Sequence, residues 1–181
     1  MKYLLSLTAV LLFGFSVFGQ TEKMVGKKAA PNLKLVTLDN ESINTSDLIG
    51  KVVVYNFWYV GCPPCRAEIP ELNEIVEEYK GKDVVFLGLT TDSGKDLDDF
   101  LKEKPFHYRI VPGAGQMMLF NYGETQEDGS LYVPFPMHIV VNRNGFVELK
   151  VAGKKGVAAV REELKRQFAD QKTAGKEKEA N

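Results

Sequence analysis

Two stretches of the chain, residues 51–59 and 84–90, are almost entirely apolar and are bounded by polar turns. Continuous β-branched and aromatic runs of this length are typical of strands that are buried on both faces of a sheet. Between them, residues 64–79 carry apolar side chains at three- and four-residue spacing, which predicts an amphipathic helix. The order strand, helix, strand indicates two parallel strands joined by a crossover helix.

Similar patterns continue on both sides of this unit. They predict a strand at 33–38, a helical turn at 45–50, helices at 95–104, 115–122 and 157–168, an extended segment at 108–111, and an Asn-Gly hairpin formed by 137–141 and 146–151. The acidic segment 123–129 is predicted to be a solvated loop, with a substrate-facing insertion as the alternative. The pattern as a whole predicts a mixed α/β layer fold.

The two ends of the chain differ from the domain between them. In residues 1–19, Lys2 precedes an apolar run that ends at the small residue Gly19, which predicts a secretory signal peptide. An uncleaved membrane anchor is the alternative. Residues 20–168 form the predicted domain, and the polar residues 169–181 are predicted to be a disordered tail.

Composition excludes some classes of function. The chain has 181 residues and a formal net charge of −1, so it offers no strongly basic surface and no nucleic-acid partner is expected. It contains two cysteines, Cys62 and Cys65, and no cysteine directly follows the apolar N-terminal segment. Attachment of a lipid to a cysteine is therefore excluded.

Both cysteines lie in the sequence Cys62-Pro63-Pro64-Cys65, between a predicted strand and a predicted helix. Two thiols at this spacing can form a disulfide and reopen it, which makes them a two-electron switch. A structural disulfide is favoured when it closes a long loop, and this pair encloses two residues only. The spacing therefore favours a redox function, and no cofactor is expected, because the redox-active pair Cys62 and Cys65 would itself carry the electrons.

A zinc site is the alternative use of two cysteines at this spacing. Zinc would need two further ligands, and the chain has two histidines, His107 and His138. His138 lies in a predicted buried strand, where packing is the default explanation, and His107 has no motif around it. Zinc is therefore not expected.

Several motifs occur together along residues 24–168. Residues 56–70 read Asn-Phe-Trp-Tyr-Val-Gly-Cys-Pro-Pro-Cys-Arg-Ala-Glu-Ile-Pro, the motif Ala-Pro-Asn-Leu-Lys-Leu begins at Ala30, and a proline precedes Met137. With the strand at 85–89 and the Asn-Gly hairpin, these motifs resemble the exported thioredoxin-like thiol-disulfide oxidoreductases of the TlpA/ResA group. The resemblance implies a thioredoxin-like fold, in which a central mixed β-sheet is flanked by helices, with an extra N-terminal strand segment.

The resemblance also implies roles for the two cysteines. Cys62, at the N-terminus of the predicted helix, is expected to be the attacking thiol, because the helix dipole and free N–H groups favour its thiolate. Cys65 is expected to be the buried thiol that resolves the mixed disulfide. Pro63 and Pro64 have no backbone N–H to stabilise that thiolate and no histidine lies between the cysteines, so the pair is expected to act as a reductant.

Thioredoxin itself has a buried acid six residues before its first cysteine, where this chain has the neutral Asn56. The ResA-like subgroup instead has an acid just after the next strand, and Asp92 matches that position. Asp92 is therefore expected to accept or relay the proton of Cys65. The alternative is that Asp92 caps the helix that follows. Glu68 lies in the first helical turn, where a carboxylate is favourable in any case.

The residues expected to contact substrate lie around the cysteines. Pro136 is predicted to be the cis-proline that faces them, with Pro134 as the competing candidate, and the backbone of Phe135 is expected to pair with substrate. Met137 stands where the group usually has threonine. Pro63, Pro64 and Trp58 complete the predicted contact set, although packing alone would also explain Trp58.

The implied function is reduction of disulfides in exported proteins, with cytochrome c maturation as one pathway. The protein is expected to be periplasmic or otherwise exported, to be a monomer and to receive electrons from a membrane thiol donor. A peroxiredoxin-type peroxidase is the first alternative, but Tyr59 stands where its Thr-x-x-Cys site has threonine. A copper chaperone is the second, although its cysteines are generally separated by three residues.

Overall fold

The strands of the chain form one central sheet and two small hairpins. The computed structural model describes residues 24–30 and 32–179. Along the chain the elements are β1 (Lys34–Val36), β2 (Ser42–Asn44), a 3-10 helix (Thr45–Leu48), β3 (Val52–Trp58), α1 (Pro63–Glu78), β4 (Val84–Thr90), α2 (Lys95–Glu103), β5 (Arg109–Val111), α3 (Gly115–Tyr122), β6 (Glu124–Thr125), β7 (Leu131–Tyr132), β8 (Met137–Val141), β9 (Val147–Ala152) and α4 (Gly156–Glu179).

The central sheet has the strand order β5-β4-β3-β8-β9. β3 is parallel to β4 and antiparallel to β8, so the sheet is mixed. Every residue of β3 is buried, as its continuous apolar run predicts. At the C-terminal end of β3, Trp58 pairs with Thr90 and Phe57 pairs with Met137. This register brings the C-terminal ends of β3 and β4 and the N-terminal end of β8 to the same end of the sheet.

Helices and the N-terminal hairpin cover the two faces of the sheet. On one face, the apolar side of α1, including Leu72 and Ile75, packs with Val160 and Leu164 of α4. On the other face, α3 packs together with the hairpin of β1 and β2, which is the predicted extra N-terminal segment. The mixed α/β fold and the closing hairpin of β8 and β9 are therefore confirmed.

The structure differs from the sequence prediction in two places. The final helix does not end at Phe168 but extends to Glu179, so residues 169–179 of the predicted disordered tail are helical. Alanine, lysine, glutamate and glutamine dominate this segment, and they are strong helix formers. The predicted loop 123–129 forms part of the antiparallel hairpin of β6 and β7. Within the hairpin Glu124 accepts a hydrogen bond from Tyr132, and a tertiary contact holds the hairpin, since Glu124 also pairs with the buried Lys150 of β9.

The predicted signal peptide, residues 1–19, lies outside the described residues. Within the part of the chain that the structure describes, no helix has an apolar stretch long enough to cross a membrane.

Candidate active site

The two cysteines form a disulfide at the N-terminus of α1. Cys62 is the residue that caps the helix, and its Sγ accepts a hydrogen bond from the backbone N–H of Cys65 at 3.3 Å. Pro63 and Pro64 occupy the first two helical positions and are exposed. A proline is well tolerated there because these N–H groups have no partner within the helix. The only backbone donor to Cys62 Sγ from this turn is therefore Cys65.

Exposure does not distinguish the two sulfur atoms, because both Cys62 and Cys65 are buried, each with an exposed fraction of 2%. Their positions on the helix do distinguish them. Cys62 lies at the positive end of the helix dipole, whereas Cys65 is one turn inside. The assignment of Cys62 as the attacking thiol stays a prediction that this geometry favours.

Asp92 is hydrogen bonded to the loop that precedes the cysteines. Its Oδ2 accepts the backbone N–H of Val60 at 2.7 Å and the hydroxyl of Thr90 at 2.8 Å. The alternative that Asp92 caps α2 is wrong, because the cap residue of α2 is Gly94 and no side chain caps it. None of the hydrogen bonds of Asp92 within the described residues goes to Cys65, so the proton relay stays a prediction.

The peptide bond between Phe135 and Pro136 is cis, and of the two candidate prolines Pro136 is therefore the cis-proline. The Phe135 ring contacts the ring of Tyr59 at 5.2 Å and packs against the apolar cluster that contains Cys62 and Cys65. The cis-proline segment thus lies beside the disulfide. The pairing of the Phe135 backbone with a substrate stays a prediction.

Trp58 lies beneath the disulfide and not on the surface. Only 1% of the residue is exposed, and its ring stacks on Phe106 with the ring centroids 4.6 Å apart. The indole fits because Gly88 of β4 has no side chain. A Cβ at Gly88 would lie 3.2 Å from Nε1 of Trp58 and 2.7 Å from Ile110. Trp58 therefore offers no surface to a substrate, and the prediction of direct substrate contact is corrected to packing under the cysteines.

A buried polar cluster on the same face of the sheet was not predicted. It consists of Asn56 on β3, Glu68 on α1, Tyr108 before β5 and His138 on β8; we call it the buried polar cluster. Asn56 connects its members: its Nδ2 donates to Glu68 Oε1 at 3.2 Å and its Oδ1 accepts the Tyr108 hydroxyl at 3.2 Å. Burial, followed by the charge of Glu68, raises the pKa of Tyr108 well above its ordinary value.

The position of Glu68 connects the buried polar cluster to the disulfide. Glu68 follows Cys65 by three residues on α1, a spacing that makes their side chains neighbours on one helix face. Only 10% of the Glu68 side chain is exposed. Two signals in the sequence point to this cluster: the three-residue spacing from Cys65, and the polar Asn56 and His138 inside otherwise apolar strands. The prediction that His138 is buried is confirmed, with none of it exposed.

The described residues contain no group of three or more histidine, cysteine, aspartate or glutamate side chains that could hold a metal ion. A disulfide at the start of the helix that follows the central strand, with a cis-proline beside it, defines the thioredoxin-like thiol-disulfide oxidoreductases as a class.

Comparison with known proteins agrees with this class. The model of the Redoxin family matches residues 24–165. A thiol-disulfide oxidoreductase ResA of Bacillus cereus is 29% identical over 150 residues, which cover 82% of each chain. A ResA of Bacillus thuringiensis is 30% identical over 139 residues, which cover 76% of each chain.

Solved structures show the same fold. The thioredoxin domain of a thiol-disulfide oxidoreductase of Bacteroides vulgatus has a TM-score of 0.61 and is 26% identical, covering 76% of this chain and 96% of that one. A thioredoxin-family thiol:disulfide interchange protein of Chlorobium tepidum has a TM-score of 0.64 at 22% identity, covering 77% and 95%. The chain therefore belongs to the Redoxin family and is a thiol-disulfide oxidoreductase of the ResA type.

Proposed function

We propose that the protein is exported and reduces disulfide bonds in other exported proteins. The observation that supports reduction of the substrate, and not its oxidation, is the helix cap. Because Pro63 and Pro64 have no N–H, Cys62 Sγ receives one backbone hydrogen bond from this turn. A poorly stabilised thiolate favours the oxidised form of the pair, and a protein whose disulfide is favoured gives its electrons away readily.

In the proposed cycle, the Cys62 thiolate attacks a disulfide of the substrate and forms a mixed disulfide, and one substrate sulfur leaves as a thiolate. Cys65 then loses its proton and attacks Cys62, which releases the second substrate thiolate and restores the disulfide. A dithiol donor in the membrane reduces the disulfide again by the reverse sequence of steps. Phe135 and Pro136, beside the disulfide, would hold the substrate backbone.

The resemblance to the ResA group supports oxidised apocytochrome c as one substrate, because its cysteines must be reduced before haem is attached. The signal-like residues 1–19 support export and agree with a disulfide-permitting compartment. We expect a monomer, because Cys62, Cys65, Phe135 and Pro136, the residues of the proposed cycle, come together within one chain.

A trapping experiment tests this function. In a Cys65→Ser variant, the mixed disulfide on Cys62 cannot be resolved, so we expect covalent adducts with exported proteins that contain disulfides. Cys62→Ser is the matched control and should trap far less. Identification of the adducts by mass spectrometry would name the substrates. Trapping by Cys62→Ser alone would show that the two roles are reversed, and adducts with cytoplasmic proteins only would exclude export.

A purified-component assay tests the pathway. The reduced protein should reduce a peptide that carries the oxidised Cys-x-x-Cys-His segment of an apocytochrome c faster than an unrelated peptide disulfide. Equal rates on both peptides would remove the argument for cytochrome c maturation while leaving the reductase activity in place.

A further inference from the structure

The hairpin of β6 and β7 is a surface feature that the proposed cycle does not use. It leads from α3 into the cis-proline segment, and its second strand exposes two adjacent large apolar residues, Leu131 and Tyr132. Of these residues, 42% and 39% are accessible to solvent. Exposed apolar side chains that belong to a larger apolar surface indicate a place where a partner binds.

The hairpin is fixed to the sheet, so its exposed residues keep a defined position. Glu124 of β6 lies opposite Tyr132, accepts a hydrogen bond from the tyrosine hydroxyl and pairs with Lys150 of β9. Only 4% of the Lys150 side chain is exposed, and a charge buried in this way needs a partner. In the turn, Gln126 donates its backbone N–H to the carbonyl of Ser130. A surface that is ordered in advance loses little conformational entropy when a partner binds.

Apolar side chains continue from the hairpin to the disulfide. Val133 packs against the core beneath α3, and Phe135 packs both against that core and against the cluster that contains the two cysteines. Leu131 lies five positions before the cis-proline, and an extended chain of this length spans at most about 18 Å. An extended substrate has the same reach per residue, so its residues up to about five positions from the reactive cysteine can contact the hairpin.

The charge of the hairpin is negative. Residues 110–142 contain no lysine or arginine, whereas Glu124, Glu127 and Asp128 lie on the hairpin. Lys150 balances the charge of Glu124. The other two carboxylates are exposed, and neither forms an ion pair with any described residue. A partner that carries basic groups is therefore electrostatically complementary to this surface.

We propose that the β6–β7 hairpin is a second contact surface for the substrate polypeptide, and that it favours substrates with apolar residues near the reactive cysteine and basic residues beyond them. Leu131 and Tyr132 contact the apolar residues, and Glu127 and Asp128 attract the basic ones. This role rests on the proposed function and adds a class of substrate to it. The hairpin does not touch the reacting sulfurs, so its contacts set the affinity for the substrate and not the rate of sulfur exchange.

Single-turnover kinetics with synthetic peptides test the proposal. Two peptides carry the same internal disulfide; one has leucines beside it and lysines beyond them, and the other has serine at all of these positions. Thiols of the reduced protein are alkylated at set times and counted by mass spectrometry, over a series of peptide concentrations. We expect half-saturation at about fivefold lower concentration for the leucine-lysine peptide, an effect of the size that partial burial of leucine gives, and equal limiting rates.

Variants assign this preference to the hairpin. Leu131→Ser should reduce the fivefold preference to less than about twofold. Phe146→Ser is the matched control and should keep the preference, because Phe146 is a similarly exposed apolar residue in the turn between β8 and β9, at the end of the sheet away from the disulfide. Glu127→Gln should weaken binding of the leucine-lysine peptide about twofold at low salt, whereas Glu162→Gln on α4 should not. Melting curves check that each variant is folded.

The possible outcomes separate the hairpin's role from the proposed function. Equal half-saturating concentrations for the two peptides in the wild type, or an unchanged preference in Leu131→Ser, would show that the hairpin does not select substrates, while the reductase function stands. A wild type that reduces neither peptide would overturn both. If the wild type sediments as a dimer and Leu131→Ser as a monomer, the hairpin is an interface between two copies of the chain and the proposal is wrong.

Discussion

At the scale of single residues, the environment of a carboxylate decides what it can do. Asp92 and Glu68 both lie close to the cysteines in the fold, but they contact different parts of the site. Asp92 holds the loop before Cys62 through the N–H of Val60, whereas Glu68 lies on the same helix face as Cys65. Asp92 is therefore placed to hold the loop in position, whereas Glu68 lies one helical turn after Cys65 and is hydrogen bonded to Asn56 of the sheet.

Substitutions of Asp92 separate these roles. In Asp92→Ala, the N–H of Val60 and the Thr90 hydroxyl lose their acceptor, and we expect a loss of about 1–3 kcal/mol in the free energy of unfolding and slower disulfide exchange. Asp92→Asn keeps an acceptor oxygen and should stay close to the wild type in both. Denaturant unfolding and insulin reduction measure the two effects. A relay would instead make Asp92→Asn as slow in exchange as Asp92→Ala.

At the scale of elements, α1 brings the chemistry together. Its N-terminus carries Cys62, its first turn buries Cys65, and its next turn carries Glu68 to the sheet. The two prolines begin the helix and at the same time limit the hydrogen bonds that Cys62 Sγ can receive. The stability of the thiolate is therefore set by the first turn of this helix.

This leads to a prediction for the two prolines. Pro64 is the second helical residue, a position whose N–H can reach the side chain of the capping residue, whereas the N–H of the first position, Pro63, does not. Pro64→Ala adds this donor, so we expect the thiolate to gain about 1 kcal/mol and the midpoint potential to become more oxidising by roughly 20 mV. Pro63→Ala is the control. Titration in glutathione buffers measures both, and equal shifts would contradict the capping argument.

At the scale of the whole molecule, burial of tyrosines ties the stability of the fold to pH. Burial raises the pKa of Tyr122 to about 12, and it is also the main cause of the raised pKa values of Tyr55 and Tyr108. The folded state therefore holds protons that the unfolded chain releases near pH 10. The stability due to the neutral tyrosines is complete below pH 10 and is lost as the pH rises toward the pKa values of the folded state.

We therefore expect the oxidised protein to lose stability above pH 10, by about 1 kcal/mol per buried tyrosine at pH 11. Chemical unfolding at a series of pH values from 8 to 11 measures this. Tyr108→Phe should show a shallower fall than the wild type. A fall of the same steepness would mean that the buried tyrosines are not its cause.

The elements and the disulfide motif could be predicted from the sequence because their signals are local. Residues 84–90 and 115–122 are predicted to within the bounds that β4 and α3 have in the structure. The spacing of apolar residues indicates whether a segment is a helix or a strand, and the residue types at turns indicate where it ends. The spacing of Cys62 and Cys65 likewise indicates a redox pair without knowledge of any distant contact.

The buried polar cluster, the loop contact of Asp92 and the burial of Trp58 were decided by tertiary structure. His138 and Glu68 are far apart in sequence and meet because β8 pairs with β3 beneath α1. No local sequence pattern predicts this contact, since His138 alone is compatible with simple packing and Glu68 alone with the first turn of a helix. The sequence by itself therefore determined the redox pair and the elements around it, and the packing of α1 on the sheet decided which buried polar groups lie next to the helix that carries it.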